Sequence, residues 1–355
     1  MAVITILGAG VMGTAMCWPA SANGHDIRLV GTHLDGAIIA SIRESGKHQR
    51  LGVVVPQGVT PFAHDQFAQA FGEDSDLLIL GVGSAGVGWA IDRVAEAMRK
   101  PVPILMITKG LAPQAKTIAV LPDVVQVALK ARTGFDLEVA AVGGPCIAGE
   151  LAVRRQTGVV IVSRNIVLAR RLCGMLAADF YHPRPSADLT GVEICAAFKN
   201  FFAIAVGWAA GHFETSPPAE NKAFNFNAAA ILFDQAVREM MVLVRHFGGD
   251  DESVWGMPGA GDLYVTCQAG RNSRLGRHLG LGLSYGAVKD GPMKGETIEG
   301  AELGVALGPV LLGLIAAGAL DGASLPLTRA LLTALMKDEP LAVAWDDFHR
   351  SSAHA

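Results

Sequence analysis

The first half of the chain alternates short, wholly apolar runs with longer stretches of helical character. Val3–Leu7, Asp26–Val30, Leu77–Val82, Ile104–Thr108, Val139–Val142 and Val159–Val162 read as buried strands. Runs apolar on both faces are what a parallel sheet covered by helices requires. Strand, helix, strand in repetition predicts a doubly wound sheet with right-handed crossovers. After Pro183-Arg184-Pro185 the strand-like runs largely stop. Ala/Leu/Ile-rich segments such as Val192–Ala210 and Ala228–Phe247 then predict helices, with a loop over Phe213–Asn227, where Pro217-Pro218 and three asparagines fall. The tail Ser351–Ala355 reads as frayed.

Length and composition bound the picture. With 355 residues, two cores are expected rather than one. Apolar residues at 51% and charged residues at 17% exclude a disordered chain. A net charge of −4 with no long Lys/Arg run argues against nucleic-acid or membrane-surface partners. Five scattered cysteines form neither a disulfide framework nor a zinc pattern, no metal site is expected, and a reducing cytoplasm fits. Leu303–Leu320 is uncharged, yet four glycines and Pro309 make it a poor membrane span; it reads as a buried helix.

The chemistry starts at the N-terminus. Val3–Leu7 feeds Gly8-Ala9-Gly10-Val11-Met12-Gly13, followed by the helical run Thr14–Ala22. In this GxGxxG, Gly8 permits a tight turn, Gly10 lets backbone approach a pyrophosphate, and Gly13 lets helix and strand pack closely. The helix start offers free N–H groups to the phosphates. The predicted fold is therefore α/β: a Rossmann-type, doubly wound parallel sheet over residues 1–185, then an all-helical domain over 186–355. The second strand ends in Gly31-Thr32-His33-Leu34-Asp35, with no acid at the tip to bind ribose hydroxyls. Both NAD and NADP stay open; Thr32 and His33, as ligands for a 2′-phosphate, tip the reading towards NADP.

Four later motifs narrow the choice: Thr108-Lys109-Gly110-Leu111; Gly143-Gly144-Pro145-Cys146-Ile147-Ala148; Gly191 through Lys199-Asn200; and Gly259-Ala260-Gly261-Asp262 through Thr266-Cys267, followed by Gly270-Arg271-Asn272. In this order and spacing the chain resembles the NAD(P)-dependent glycerol-3-phosphate dehydrogenases, bacterial and archaeal members especially, as far as about Gly300. The resemblance implies reversible hydride transfer between NAD(P)H and dihydroxyacetone phosphate, giving sn-glycerol 3-phosphate. It implies that Lys199 exchanges the proton at the carbinol centre, with Lys109 and Asp262 completing the catalytic set. Gly144, Asn200, Thr266, Gly270, Arg271 and Asn272 would join Lys109 and Asp262 around the substrate. The cofactor would meet Gly8, Gly10, Val11, Met12, Gly13, Thr32, His33, Lys109, Cys146, Ala148, Arg271, Thr297 and Glu299. A homodimer is expected by the same analogy.

The residue types suit the chemistry on their own account. A ketone taking up hydride develops negative charge on oxygen, which needs a cationic proton donor, and a lysine with a lowered pKa can serve in both directions. The planar fork of an arginine fits a phosphate. Plainer readings exist: Lys199 as a lysine snorkelling from a helix end, Asp262 as a helix cap, Arg271-Asn272 as a polar loop. A cofactor sensor without catalysis would be expected to lose Lys199 or Asp262, and both are present. The chain departs from the family at Cys146, Met12, Ala229 (where a lysine is usual) and Glu296 (where some members have Gln), and in the inserted Phe213–Phe226 loop. Another phosphorylated polyol or hydroxyketone, or a hydroxy acid, is the alternative substrate.

Overall fold

The computed structural model describes residues 1–217, 225–268 and 270–351. The chain divides into two units: Met1–Gly110 with Val120–Leu189, and Leu111–Ala119 with the chain from Thr190 onward. The strands are β1 (Val3–Leu7), β2 (Asp26–Val30), β3 (Lys47–His48), β4 (Val53–Val54), β5 (Val59–Phe62), β6 (Leu77–Leu80), β7 (Ile104–Met106), β8 (Leu111–Pro113), β9 (Ile118–Val120), β10 (Val139–Gly143), β11 (Thr157–Val162) and β12 (Tyr181–Ser186). Eight of them form one sheet in the order β12-β11-β10-β7-β6-β1-β2-β5. Its central strands are buried on both faces: Ile4, Ile6, Leu7, Leu77, Leu78, Ile79, Leu105 and Ala140 are all inaccessible to solvent. Continuous apolar runs are the expected composition of such strands.

The sheet departs from the all-parallel expectation at one place. From β10 to β5 the strands run parallel, but β11 lies antiparallel to β10, with Ala141 opposite Val162 and Gly143 opposite Val160. The link between them holds only the five-residue helix Ala148–Ala152, too short a crossover to carry the chain back along the sheet. The chain therefore returns in the opposite direction, and β12 pairs parallel to β11 beyond it. Two strands of this eight-stranded sheet were invisible as hydrophobic runs. β5 contains Pro61 and β12 contains Pro183 and Pro185. Both lie at the sheet's edges, where a missing N–H is tolerated. The helix expected over Thr14–Ala22 is broken into Val11–Ala15 and Cys17–Ala22, because Pro19 has no N–H to give the Ala15 carbonyl.

In the second unit the long helix Leu189–Thr215 crosses the helix Arg271–Gly280 at backbone contact. A Cβ on Gly276 would lie 1.9 Å from the Ile204 carbonyl oxygen, and one on Gly207 would lie 2.4 Å from that of Ser273. The long helix carries the Phe198, Phe201 and Phe202 rings, which meet one another at centroid distances of 5.3 to 6.1 Å. The short β8–β9 hairpin, on the first-domain side of the expected boundary, groups with this unit because β8 packs on the helix Glu299–Ala316. The second unit is thus not purely helical. Helix runs to Thr215 and resumes at Phe226, so both ends of the segment expected as a loop over Phe213–Asn227 are helical; residues 218–224 and the expected frayed end at 352–355 lie outside the described residues.

Two helices are long and apolar enough, by length and composition, to cross a membrane, and they differ in kind. Leu189–Thr215 is 83% buried over its most apolar window and is the core helix of its unit. Glu299–Ala316, read from the sequence as buried, is only 33% buried over the same length. Its buried stripe (Gly300, Ala301, Gly304, Leu307, Gly308, Leu311) covers one face, and the other is left bare.

A carboxylate is sealed inside the second unit. Glu239, with no exposed surface, accepts the backbone N–H groups of Leu327 and Thr328 at 2.6 Å each and the Gln235 amide at 2.7 Å. It thereby closes the start of the helix Pro326–Lys337. Burial outweighs those hydrogen bonds and pushes its pKa up from 4.5 to about 7. The folded protein holds this proton more tightly than the unfolded chain does. Its contribution to stability is complete below about pH 4.5 and is lost as pH rises through about 7. Glu239→Gln is expected to flatten this segment of the stability–pH curve by about 3 kcal/mol, read from urea midpoints of both proteins between pH 4.5 and 8. Parallel curves would reject the assignment.

Candidate active site

The glycine turn of the first unit is built by close approach. Gly8 has φ +114°, and a Cβ there would lie 2.6 Å from the Gly81 carbonyl oxygen at the end of β6. A Cβ on Gly13 would lie 2.0 Å from the Gly8 carbonyl oxygen. Gly10 is different: its φ is an ordinary −64°, and a Cβ there meets nothing within 4 Å. Two glycines are thus demanded by packing, while the third keeps clear the space beside the backbone where a pyrophosphate fits. Val11 is exposed and Met12 half-buried on the same turn.

Asp35 holds this turn in place. Its Oδ2 accepts from the Ala9 N–H at 3.2 Å and from both the Thr32 N–H and hydroxyl at 2.8 Å. His48, fully buried, lies 3.0 Å from the Ala9 carbonyl oxygen. Asp35 therefore binds protein rather than standing out as a ribose ligand. The Thr32 hydroxyl, expected to face a 2′-phosphate, is instead turned to Asp35 and accepts the Leu34 N–H. His33 remains exposed at the tip of β2, edge-on to Trp89 at 5.6 Å. Sequence reasoning missed Trp89, which lies far along the chain, and missed the inward role of Asp35; the three-residue spacing from Thr32 was the available signal.

The remaining first-unit candidates stand at carboxyl ends of strands. Thr108 donates its hydroxyl to the Val82 carbonyl at 2.7 Å, tying the end of β7 to that of β6, and half-buried Lys109 follows. Gly144 is buried with φ +114° just after β10, and half-buried Cys146 precedes Ala148, the first residue of the short helix.

In the second unit, Lys199 and Asp262 form a buried ion pair, with side chains 9% and 3% exposed. Lys199 projects from the long core helix, and Asp262 opens the helix Asp262–Gln268 immediately after a π-helical turn at Met257–Gly261. A wide turn of this sort often marks a functional position, and the helix start favours the carboxylate. The Thr266 hydroxyl is tied to the Asp262 carbonyl at 2.6 Å. Ser273, which the sequence did not single out, donates to the Thr266 and Cys267 carbonyls at 2.8 and 3.2 Å.

Asn272 joins three elements. Its amide N–H donates to the Asn200 side-chain oxygen at 3.0 Å, and its oxygen accepts the Gly300 N–H at 2.9 Å. Lys199-Asn200, Gly270-Arg271-Asn272 and the start of the helix Glu299–Ala316 are thus drawn together. Arg271, expected at the substrate phosphate, is half-exposed and paired with Glu299, and Thr297, two residues before Glu299 in the chain, is exposed. Glu296, the departure from the family's Gln, accepts both Arg274 N–H groups at 3.0 Å. Ala229 is half-buried in the first turn of the helix Phe226–His246.

A glycine turn shaped for a pyrophosphate, on a doubly wound sheet, and a buried lysine–aspartate pair on a helical unit together define an NAD(P)-dependent oxidoreductase. Comparison with known proteins narrows the class. The model of the NAD-dependent glycerol-3-phosphate dehydrogenase N-terminus matches residues 3–169, and that of its C-terminus matches residues 188–345. The chain is 34% identical over 284 residues to the NADP(+)-dependent glycerol-3-phosphate dehydrogenase of Archaeoglobus fulgidus, covering 79% of this chain and 81% of the relative. It is 30% identical over 306 residues to the glycerol-3-phosphate dehydrogenase [NAD(P)+] of Klebsiella pneumoniae, covering 84% and 83%. In fold it is similar to the glycerol-3-phosphate dehydrogenase structure from Coxiella burnetii, with TM-score 0.75, 24% identity and coverage of 98% and 97%. The Plasmodium falciparum structure gives TM-score 0.80 at 18% identity, covering 98% and 95%. The chain belongs to the NAD-dependent glycerol-3-phosphate dehydrogenase family.

Two outcomes follow. Gly10→Val should leave the thermal midpoint within about 2 °C of the parent while weakening NADPH binding at least ~10-fold in a fluorescence titration; binding unchanged would place the pyrophosphate elsewhere. Asp262→Ala should lose roughly 3–5 kcal/mol in urea unfolding, because it leaves a buried ammonium without its counter-charge, and Lys199→Met/Asp262→Leu should recover much of that loss. Equal stability of all three proteins would mean the pair is not buried in solution.

Proposed function

We propose that this chain catalyses reversible hydride transfer between NAD(P)H and dihydroxyacetone phosphate, giving sn-glycerol 3-phosphate. The observation that carries the reading is the buried Lys199–Asp262 pair, joined in sequence and through Asn200 and Asn272 to the segment bearing Arg271. A bound nicotinamide supplies or accepts the hydride. Lys199 delivers a proton to the carbonyl oxygen as negative charge develops there, and takes it back in the oxidative direction. Asp262 holds the ammonium in one direction and offsets the cost of burying it. Asn200 and Thr266 line the substrate, Gly144 and Gly270 let backbone approach it, and Arg271 grips its phosphate through two N–H groups. Lys109 is assigned a contact to both substrate and cofactor. The cofactor is held by Gly8, Gly10, Val11, Met12 and Gly13, with Cys146, Ala148, Thr297 and Glu299 as further contacts.

NADP is favoured over NAD. Asp35 is engaged with Ala9 and Thr32, so this carboxylate is turned away from the ribose hydroxyls, and exposed His33 is left as the donor for a 2′-phosphate. The protein is assigned to a reducing cytoplasm, in keeping with five cysteines scattered along the chain, and to a homodimer. A different phosphorylated polyol or hydroxyketone is the second reading, favoured by Ala229 in place of lysine.

The test is initial-rate oxidation of NADPH and NADH with dihydroxyacetone phosphate beside unphosphorylated dihydroxyacetone. Turnover is expected with the ester alone and faster with NADPH. Lys199→Ala should keep cofactor binding and lose roughly 10²–10⁴ in kcat, and Arg271→Lys should act mainly on KM. Full activity of Lys199→Ala removes the mechanism; turnover only with a larger phosphorylated ketose moves the substrate to the second reading.

A further inference from the structure

Asp35 immediately precedes the helix Gly36–Ser45, the position from which an aspartate usually accepts an N–H of the first turn, yet its side chain makes no capping hydrogen bond. Its Oδ2 instead takes the Ala9 N–H at 3.2 Å and the Thr32 N–H and hydroxyl at 2.8 Å. Gly31 makes this fold-back possible, since a Cβ there would lie 3.2 Å from that of Asp35 and 2.8 Å from the Ile39 side chain. The Thr32 hydroxyl, while donating to Asp35, accepts the Leu34 N–H at 3.2 Å, and the Thr32 carbonyl accepts the Asp35 N–H at 3.0 Å. The turn carrying His33 is thus tied on both sides of that residue, with the imidazole exposed. The Ala9 end is fixed as well. Its carbonyl accepts the Thr14 hydroxyl at 3.1 Å and lies 3.0 Å from His48 Nε2. His48 Nδ1 takes the Leu51 N–H at 3.1 Å, so Nε2 carries the proton and donates it to Ala9.

We propose that Asp35 is a positioning residue for the cofactor and sets its preference for a dinucleotide with a 2′-phosphate, an assignment that rests on the NADP reading above. Asp35 touches no ligand in this role. It holds the glycine turn and the His33 turn on one carboxylate oxygen, so the two keep a fixed spacing. A dinucleotide spans both: its pyrophosphate lies against the glycine turn and its adenosine ribose at the tip of β2. A loose His33 turn would have to be ordered on binding, at a cost to affinity; a turn already tied to Ala9 avoids that cost. NADH has no 2′-phosphate for His33 to meet and depends on the glycine turn. A carboxylate suits the task because, when ionised, its oxygens only accept and each takes more than one donor. His48 separates the two roles, since its ring bonds go to Ala9 and Leu51, on the glycine-turn side.

The test is fluorescence titration of the full chain with NADPH and with NADH. The parent should bind NADPH the more tightly. Asp35→Ala should weaken both cofactors and NADPH more, narrowing the ratio of their dissociation constants at least ~10-fold, the scale of hydrogen bonds to a charged group. Asp35→Asn keeps an acceptor oxygen without the charge and guards against the first variant failing to fold; it should narrow the ratio by ~3-fold. His48→Leu should weaken both cofactors alike and leave the ratio as in the parent. A parental ratio in both Asp35 variants, or an equal narrowing in His48→Leu, would overturn Asp35 as the link and leave the NADP reading in place. Asp35→Asn binding NADPH more tightly than the parent would overturn it too, because the carboxylate would then act as a charge repelling the phosphate. A parent that prefers NADH would overturn the NADP reading and this assignment together.

Discussion

A lysine ammonium and an aspartate carboxylate, both almost wholly out of water, set the terms for the second unit. Taking two charges out of solvent is costly, and their attraction offsets the cost only when the geometry is held tightly. The surrounding structure supplies that hold. Lys199 projects from a helix locked in the core by three interlocking phenylalanine rings. Asp262 starts a helix whose N–H groups favour its charge, and the wide turn before it sets where that helix begins. In the proposed reaction a pair so placed would hold the proton donor at a fixed position beside the carbonyl oxygen that takes up charge.

Glycine is what lets the surrounding segments reach the pair. The Arg271–Gly280 helix lies against the long helix with backbone touching backbone at Gly276 and Gly207. The start of the Glu299–Ala316 helix does the same at Gly300, where a Cβ would stand 2.2 Å from the Asn200 carbonyl oxygen. These approaches bring Asn200, Asn272 and Gly300 into one hydrogen-bonded set. Arg271 and Glu299 then face each other as the polar rim of that set. The first unit uses the same physics at Gly8, Gly13 and Gly81, whereas a Cβ on Gly10 would meet open space.

One helix of the second unit answers to several neighbours at once. Glu299–Ala316 offers its first turn to the Asn272 network, its buried stripe to the core, and its bare stripe to the outside. Its composition reads as that of a core helix because three demands are superposed on eighteen residues. Periodicity reports only their sum.

The sequence by itself determined the parts whose signals are local. The central strands announced themselves as apolar runs, the dinucleotide turn as glycines at fixed spacing, and the family as motifs around Lys199 and Asp262. Only tertiary structure decided the rest. The reversal of β11 follows from the length of a link and not from its strand pattern. The edge strands β5 and β12 are strands because a neighbour pairs with them despite their prolines. Thr32 turns inward because Asp35 takes its hydroxyl, and Asn272 acquires its role from partners 72 and 28 residues away. Hydrogen bonds and close approaches between distant segments depend on how elements pack, and packing is written in no single stretch of the chain.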